Sequence, residues 1–377
     1  MINRAIKYRL YPTEDQKIFF AKTFGCVRKV YNLMLSDKIN SYKDTGEFCK
    51  ATPAMYKRDY PYLKEVDSLA LANASMNLQA AFSNFFSRTR KKKNGFPKFK
   101  SFKRSKRVYT TNNQKGSVAI LKDSIKLPKI GTVKAAIHRT PDENWILKSA
   151  TISQDRDGKY YASVLFAFEK EEQTYKIDTQ NAIGLDYASD GLYVDHNGNV
   201  GTNHKYYRES HAKLAKAQRK LSRMKGSKKH EKKSSNYLKQ LRKVNKIHQH
   251  IANQRKDNLH KLSAEIANRY DVVCVEDLNM KAMSNKGFGN GKATMDNGYG
   301  SFVSMLDYKL ADRNKYLIKV DKWYPSSQIC HACGTLHPEM KDLKIRTMRC
   351  DCGLVIGRDQ NAAINILNEG LRILAAQ

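Results

Sequence analysis

The N-terminal part of the chain has the hydrophobic pattern of one strand followed by two long helices. Apolar and polar residues alternate over residues 5–10, which predicts a strand. Thr13 and Gln16 have the spacing of a capping box, and apolar residues then recur at helical spacing over residues 19–34. A second amphipathic helix is predicted over residues 68–86.

One face of the second predicted helix carries the uncharged polar residues Ser75, Asn77 and Gln79. Asn and Gln hydrogen-bond the edges of bases in a DNA groove, so this face is a candidate DNA contact. A solvated helix face explains the same residues at least as well. The sequence alone leaves both interpretations open.

Short β-strand patterns follow, separated by Gly and Asp-Gly turns. They predict a small β-barrel, which the first strand of the chain can join. The polar and charged stretch 170–179 predicts a domain boundary. The strands are predicted at residues 117–121, 125–127, 132–138, 145–153 and 160–168.

The second half of the chain places three acidic residues at the ends of predicted elements. An apolar strand ends at Asp186, and a hairpin with an Asn197-Gly198 turn follows it. After a helical region over residues 206–270, a second apolar strand ends at Glu276. Asp359 begins a terminal segment with helical spacing. Residues 284–300, rich in Gly and Asn, predict a mobile loop.

Each acid alone has an ordinary explanation as a surface residue or, for Asp359, a helix cap. Together, at element ends in this order, they are typical of an RNase H-like fold, in which three carboxylates hold two Mg²⁺ ions. Three like charges brought together need cations, because burying them unpaired is prohibitively costly.

Four cysteines near the C-terminus predict a structural zinc site. Cys330 and Cys333 have the spacing of a zinc knuckle, and Cys350 with Cys352 supplies a second pair. The second pair is one residue shorter than the usual spacing. Two disulfides, unrelated core cysteines, or His331 or His337 as a substitute ligand are the alternatives.

The chain carries a formal net charge of +33, which points to a polyanionic partner, nucleic acid first. A membrane is disfavoured, because no long apolar span and no signal-peptide pattern is present. A basic run over residues 88–107 includes Lys91 and Lys98 and is interleaved with phenylalanines, as in a phosphate-tracking surface. Residues 201–270 contain 20 Lys and Arg against 4 Asp and Glu. The scattered remaining cysteines fit a reducing compartment, so we expect a cytoplasmic protein.

Several of these motifs resemble those of TnpB, a family of transposon-encoded, RNA-guided nucleases related to type V CRISPR effectors. The resemblance extends over nearly the whole chain. One departure is Gly357 before Arg358-Asp359, where the family commonly has Asp-Arg-Asp. The motifs that carry the resemblance are Ile183-Gly-Leu-Asp186, Val275-Glu276-Asp277-Leu-Asn279-Met280, Ser326-Ser327 with the four cysteines, Arg358-Asp359-Gln-Asn361-Ala-Ala and Gly95-Phe96-Pro97-Lys98-Phe99-Lys100.

The resemblance implies a multi-domain α+β fold. Residues 1–10 and 95–175 would form a wedge β-barrel, and residues 11–94 an inserted helical recognition domain. Residues 176–325 and 354–377 would form an RNase H-like RuvC nuclease domain, with residues 201–270 as its basic helical part. Residues 326–353 would be an inserted zinc ribbon.

The resemblance also implies a function. The protein would bind a guide RNA from its transposon's end and cut double-stranded DNA beside a short adjacent motif, as a monomer in a ribonucleoprotein that associates with the nucleoid. Asp186, Glu276 and Asp359 would bind two catalytic Mg²⁺ ions, and the four cysteines one structural Zn²⁺. Tyr109, Thr110 and Thr111 resemble the segment that touches the adjacent motif in the family.

Two rival functions remain at this point. One is an RNA-guided DNA-binding repressor with an inactive nuclease site, against which the intact acidic triad argues. The other is an RNase H-like transposase that joins strands itself. A zinc ribbon before the third acid and the long basic region favour the nuclease.

Overall fold

The computed structural model describes residues 1–87, 95–169, 176–228, 231–285 and 291–376, with the side chain of Lys292 left aside. The chain divides into two compact units, Met1–Glu171 and Glu172–Gln377. In the described parts of the chain, none of the helices combines the length and the apolar composition that a membrane span requires.

The first unit begins with strand β1 (Ile2–Leu10) and helix α1 (Glu14–Thr45). The predicted capping box is confirmed: the Gln16 backbone N–H donates to Thr13 Oγ1, and the Gln16 side chain accepts from the Thr13 N–H. The helix extends beyond the predicted apolar stripe to Thr45, and its C-cap is Gly46, whose φ of 76° suits glycine. Helix α2 (Ser68–Phe86) has the predicted bounds.

A seven-stranded sheet completes the first unit and packs on α1 and α2 through one hydrophobic core. The remaining strands are β2 (Arg107–Asn112), β3 (Ala119–Ile120), β4 (Ser124–Leu127), β5 (Gly131–Ala136), β6 (Ile146–Gln154) and β7 (Tyr160–Phe168). Their order is β2-β6-β7-β1-β5-β4-β3, so β1 joins the sheet, as expected, between β7 and β5. The edge strands β2 and β3 do not pair with each other in the described chain, so closure into a barrel is not shown.

The second unit is a mixed α/β structure that ends in a long helix. Its elements are β8 (Ala182–Tyr187), β9 (Tyr193–Asp195), α3 (Tyr206–Ser222), α4 (Ser235–Arg269), β10 (Val272–Glu276), α5 (Met280–Met283), α6 (Gly291–Asn297), α7 (Tyr299–Ala311), β11 (Tyr316–Val320), β12 (Thr347–Arg349), β13 (Val355–Gly357) and α8 (Arg358–Ala375).

The strand order of the main sheet in this unit is β11-β10-β8-β9, with β10 parallel to both β8 and β11. Side chains alternate between its two faces. Ile183, Leu185, Val273 and Val275 enter a core shared with α4 and α7. Ala182, Val272 and Cys274 face the opposite side, where α8 packs.

The prediction of a loop over residues 284–300 is wrong in part, because α6 and the start of α7 lie within it. Helix α7 and strand β11 were also not predicted. Four residues of α7 that recur at helical spacing, Tyr299, Phe302, Leu306 and Leu310, are buried in the core of this unit. The periodic signal of α7 was therefore present in the sequence and was missed.

Candidate active site and metal centre

Strands β8 and β10 carry Asp186 and Glu276 to neighbouring positions. Their parallel register pairs Leu185 with Val275, so the next residue on each strand is one of the two acids. Alternation turns both acids away from the core that contains Leu185 and Val275 and toward the face covered by α8. The predicted strand-end positions agree with the structure to within one residue: Glu276 is the last residue of β10, and Asp186 is the residue before the last of β8.

Helix α8 brings Asp359 to the same place. Asp359 lies in its first turn, and the side chain is 39% exposed, with Arg346 Nη1 4.0 Å from its Oδ2. Gly184, two residues before Asp186, allows the helix to lie directly on β8, because any Cβ there would overlap the Ala363 carbonyl. The three acids line one cavity of about 1060 Å³.

Burial and mutual repulsion dominate the electrostatics of the acids in this cavity, although Arg346 and Arg358 lie on the same cavity and the charge of Arg358 partly offsets the effect on Asp186. Burial raises the pKa of Asp186 well above its usual value, and the charges of Asp359 and Glu276 raise it further. Burial also raises the pKa of Glu276 to about 7. Divalent cations bound by carboxylate oxygens would relieve both penalties. The donor set therefore fits Mg²⁺, which prefers oxygen ligands and is commonly bound by carboxylates at sites that act on phosphate groups.

The four predicted zinc ligands lie together, with Cys350 and Cys352 in the turn between β12 and β13 and Cys330 and Cys333 in the segment before β12. The sulfur atoms of Cys330, Cys333, Cys350 and Cys352 all lie within 4.8 Å of one another, and all four thiols are free. The Sγ–Sγ distances of 3.7 Å for Cys330–Cys352 and 3.5 Å for Cys333–Cys350 are close to the edge of about 3.8 Å that a tetrahedral zinc–thiolate site requires. The arrangement fits one zinc ion and does not fit two disulfides.

The thiolate form is favoured at one corner of this cluster. The Thr335 hydroxyl lies 3.1 Å from Cys333 Sγ, and the pKa of that thiol is lowered to about 6, first by this hydrogen bond. Zinc binds thiolates, so a low pKa prepares the residue for the ion. Within the described chain, the four cysteines are the only set of three or more side chains gathered to suit a single ion. The three acids, by comparison, border a wider cavity.

Neither histidine that was considered as a substitute ligand joins the cysteines. His331 Nδ1 lies 3.0 Å from Asn361 Oδ1, and His337 Nδ1 lies 2.9 Å from Glu339 Oε1. Both rings are thus engaged elsewhere. The four-sulfur alternative is the one that this geometry supports.

The structural roles of two buried residues of α8 were missed from the sequence: those of Asn361, noted only as part of a family motif, and Asn365. Asn361 Nδ2 donates to the Ile329 carbonyl at 2.7 Å, and its Oδ1 accepts from the His331 N–H at 3.1 Å. One side chain therefore binds the peptide groups on both sides of Cys330. Asn365 Nδ2 donates to the Ser326 and Ile329 carbonyls. The sequence signal that could have identified these two residues is a pair of asparagines four residues apart among the apolar residues of α8.

The predicted nucleic-acid contacts of the first unit need correction. Ser75, Tyr109 and Thr111 are buried, so they cannot offer the surface contacts expected of them. The Tyr109 ring packs near Phe20 and Phe24, and Thr111 Oγ1 donates to Asp67 Oδ2 at 2.5 Å. Asp67 is the N-cap of α2, which explains why a hydroxyl is needed inside the core.

The other predicted contacts stay available. Asn77, Gln79 and Lys98 are exposed. Thr110 is partly buried, with its hydroxyl 2.9 Å from that of Thr151 on the neighbouring strand. Lys91 lies outside the described residues.

Three family models match the chain. The model described as "Cas12f1-like, TNB domain" matches residues 299–366, and one described as "Probable transposase" matches residues 165–287. A third, described as "Helix-turn-helix domain", matches residues 1–47, where this structure has one strand and one long helix.

Individual relatives match over almost the full length. A protein of Streptomyces pristinaespiralis named "Putative RNA-guided DNA endonuclease" is 33% identical over 98% of this chain and 90% of its own length. A protein of Escherichia coli (strain K12), with the same name followed by InsQ, is 28% identical over 99% of this chain and 93% of its own length. The solved structure of a Cas12f1–sgRNA–target DNA complex matches with a TM-score of 0.59 and 13% identity, covering 97% of this chain and 99% of that chain.

The structural match, at this low identity, shows the fold: a multi-domain α+β fold of the TnpB and Cas12 type. The full-length relationship to the Streptomyces protein, together with the family models, gives the family. The chain belongs to the TnpB family.

Proposed function

We propose that this chain is an RNA-guided DNA endonuclease of transposon origin, which hydrolyses phosphodiester bonds of double-stranded DNA at the cavity lined by Asp186, Glu276 and Asp359. The observation that carries the proposal is this convergence of three carboxylates from β8, β10 and α8. It occurs in a chain that is related over almost its full length to proteins named as RNA-guided DNA endonucleases. The rival repressor function lacks support, because all three acids are present and share one cavity.

The residues of the cavity divide the chemical tasks. Asp186, Glu276 and Asp359 would hold two Mg²⁺ ions; once bound, these supply a water of lowered pKa and the positive charge that stabilises the leaving oxygen. Arg346, Arg358 and Lys341 line the same cavity and attract the phosphate backbone. We assign this unit to the RNase H-like class, and the cysteine-bearing segment to a zinc ribbon that supports the start of α8.

A second surface supports binding of nucleic acid. Lysines and arginines of α3 and α4, with Arg223 at the C-cap of α3, line a groove of about 1040 Å³ together with apolar residues that include Ala217 and Ile247. A solvated helical pair normally mixes its charges, so cations of one sign around a groove favour a polyanion. We propose guide RNA from the transposon end and target DNA as the partners, in a ribonucleoprotein with one copy of this chain. The cations are Lys213, Lys216, Arg219, Lys220, Arg223, Lys243 and Lys246.

Purified protein with its co-purified RNA tests the function. Sequencing that RNA supplies the guide, and a matching DNA duplex in a motif library should then be cut in the presence of Mg²⁺. Asp186→Ala and Glu276→Ala are expected to abolish cleavage while guided DNA binding is retained, because metal binding and base pairing use different surfaces. Cleavage by Asp186→Ala at the wild-type rate would refute the triad. Guide-independent strand joining would instead support a transposase.

A further inference from the structure

An exposed tryptophan borders the candidate active site. The Trp323 side chain is 81% exposed, yet it lines the same cavity as the three acids. Two further exposed apolar residues, Leu336 at 53% and Leu343 at 64%, line that cavity as well. Large apolar side chains gathered at one exposed place mark an interaction surface, because exposing them to water is unfavourable.

The backbone around Trp323 is held in a fixed turn. Asp321 Oδ1 accepts a hydrogen bond from the Trp323 N–H at 2.7 Å, and the Asp321 carbonyl accepts from the Tyr324 N–H at 3.0 Å. The Tyr324 ring packs into the core under α8, so the residue after Trp323 is anchored. The exposed indole is therefore presented by an ordered segment. A rigid aromatic loses little conformational entropy when a ligand stacks on it.

The turn that contains Trp323 also follows a strand that pairs with β10, the strand that carries Glu276. Trp323 follows β11, whose last residue, Val320, is paired with Glu276 on β10. Cations flank the indole: Lys322 Nζ lies 4.8 Å from the ring centroid, and Lys341, Arg346 and Arg358 line the same cavity. Aromatic faces alternating with cations are the combination that binds single-stranded nucleic acid, since bases stack and phosphates pair with charge.

We propose that Trp323 is a stacking platform for an unpaired base of the DNA strand that enters the candidate active site. This inference rests on the proposed function and assigns Trp323 a base-stacking and positioning role beside that site. A base within a duplex has both faces covered by its neighbours, so only an unpaired strand can use the indole. Leu336 and Leu343 provide apolar surface for a neighbouring base or sugar. Trp323 thus binds and positions the strand, whereas the carboxylates perform the chemistry.

Fluorescence tests the stacking without any cleavage, because the chain contains only two tryptophans. In an Asp186→Ala, Trp145→Phe protein bound to its RNA, Trp323 is the sole indole. A single-stranded oligodeoxynucleotide is expected to quench its emission, while a fully paired duplex and an abasic strand of equal length are not. If the Trp145→Phe change impairs folding, the difference between the Asp186→Ala protein with and without Trp323→Phe gives the same signal.

Kinetics provide the second readout. Trp323→Ala should raise KM for a single-stranded substrate about tenfold and leave kcat within a factor of three, and Trp323→Phe should recover most of the loss. Tyr316→Ala removes an exposed aromatic that does not line the cavity and serves as the matched control. Because quenching is measured on an inactive protein, it stands apart from the test of cleavage. No quenching by the single strand, equal quenching by the abasic strand or the duplex, or stronger quenching by RNA of the same sequence would overturn the proposal.

Discussion

Gly184 on β8 lies directly beneath the Ala363 carbonyl of α8, and a methyl group there would also come within 2.8 Å of Leu367 Cβ. Gly184 precedes Asp186 by two residues, and Ala363 follows Asp359 by four. Gly370, farther along α8, makes a similar close approach to Cys274 on β10. The two glycines therefore set the distance between the helix that carries Asp359 and the strands that carry the other two acids.

Gly184→Ala is expected to push α8 away from β8 and to lower cleavage on the order of 100-fold, since a displacement of about 1 Å can have this effect. The free energy of unfolding should fall by about 1–3 kcal/mol through overpacking. Cleavage kinetics and urea unfolding measure the two effects. Gly25→Ala is the control: nothing lies within 4 Å of a Cβ at this position, so it should not impair either quantity. Wild-type cleavage by Gly184→Ala would show that the close packing does not position Asp359.

The second prediction concerns pH and the Mg²⁺-free protein. The pKa of Glu276 is raised by burial to about 7, so the folded chain binds this proton more tightly than the unfolded chain does. The folded state is therefore penalised as the pH rises from about 4.5 toward 7, and the penalty is complete above that. Between pH 5 and pH 8, Mg²⁺-free wild type should lose about 2 kcal/mol more stability than Glu276→Gln, which cannot ionise.

Urea unfolding at both pH values, in protein dialysed into Mg²⁺-free buffer so that zinc is retained, measures this difference. Adding Mg²⁺ at pH 8 should restore the stability of the wild type but not raise that of Glu276→Gln by the same amount, because bound cations stabilise the ionised carboxylate. Glu265→Gln, a change at an exposed glutamate, is the control and should follow the wild-type pH dependence. Identical pH dependence in the wild type and Glu276→Gln would contradict the argument.

The third prediction concerns zinc and its connection to Asp359. Elemental analysis should find about one zinc per wild-type chain and very little in Cys330→Ser or Cys350→Ser, since a structural site needs all four ligands. Cys49→Ser, outside the cluster, should retain the metal. Zinc loss should also speed amide hydrogen exchange over the first turns of α8, because Asn361 joins both peptide groups beside Cys330 to that helix.

The Asn361→Ala variant separates zinc binding from the attachment of α8 to the segment that carries Cys330. It removes no zinc ligand, so zinc should stay bound, yet exchange at the start of α8 should become faster and less sensitive to zinc. Unchanged exchange in this variant would mean that the covalent link through β13 alone supports Asp359. If elemental analysis found no zinc in the purified wild-type protein, the proposal of a zinc site would be refuted.

The parts of the fold that were predictable have a local physical cause. The bounds of α2, the capping box at Thr13 and the positions of Asp186, Glu276 and Asp359 follow from periodicity and from residues at element ends. The four cysteines were found because their spacing is that of known zinc-ligand pairs. These signals all act over a few residues.

The parts that were missed depend on contacts between distant segments. Thr111 reads as a polar surface residue until its partner Asp67, 44 positions earlier, is known. Asn361 and Asn365 read as ordinary helix residues until the Ser326–His331 segment is placed against them. Buried polar residues need a specific partner, and sequence alone does not supply the partner.

The last prediction concerns which residues of the first unit read the DNA sequence. Asn77 and Gln79 lie exposed on α2, so their amides are free to discriminate bases, at about 1–3 kcal/mol for each good contact. Asn77→Ala and Gln79→Ala should change which adjacent motif is accepted in a motif-library depletion assay. Lys98→Ala should weaken binding to every motif alike and reduce its salt dependence, because a lysine contacts phosphate and carries no sequence information.

The Thr111→Val variant tests whether Thr111 is a buried structural residue, as in the structure, or a DNA contact, as expected from the sequence. The hydroxyl is fully buried and donates to Asp67, so its loss leaves a carboxylate oxygen without this partner and should lower the free energy of unfolding by about 1–3 kcal/mol. Motif preference should stay that of the wild type, because the side chain does not reach the surface. A changed preference in Thr111→Val at wild-type stability would place this strand at the DNA after all. Unchanged preference in both Asn77→Ala and Gln79→Ala would move the reading residues away from α2.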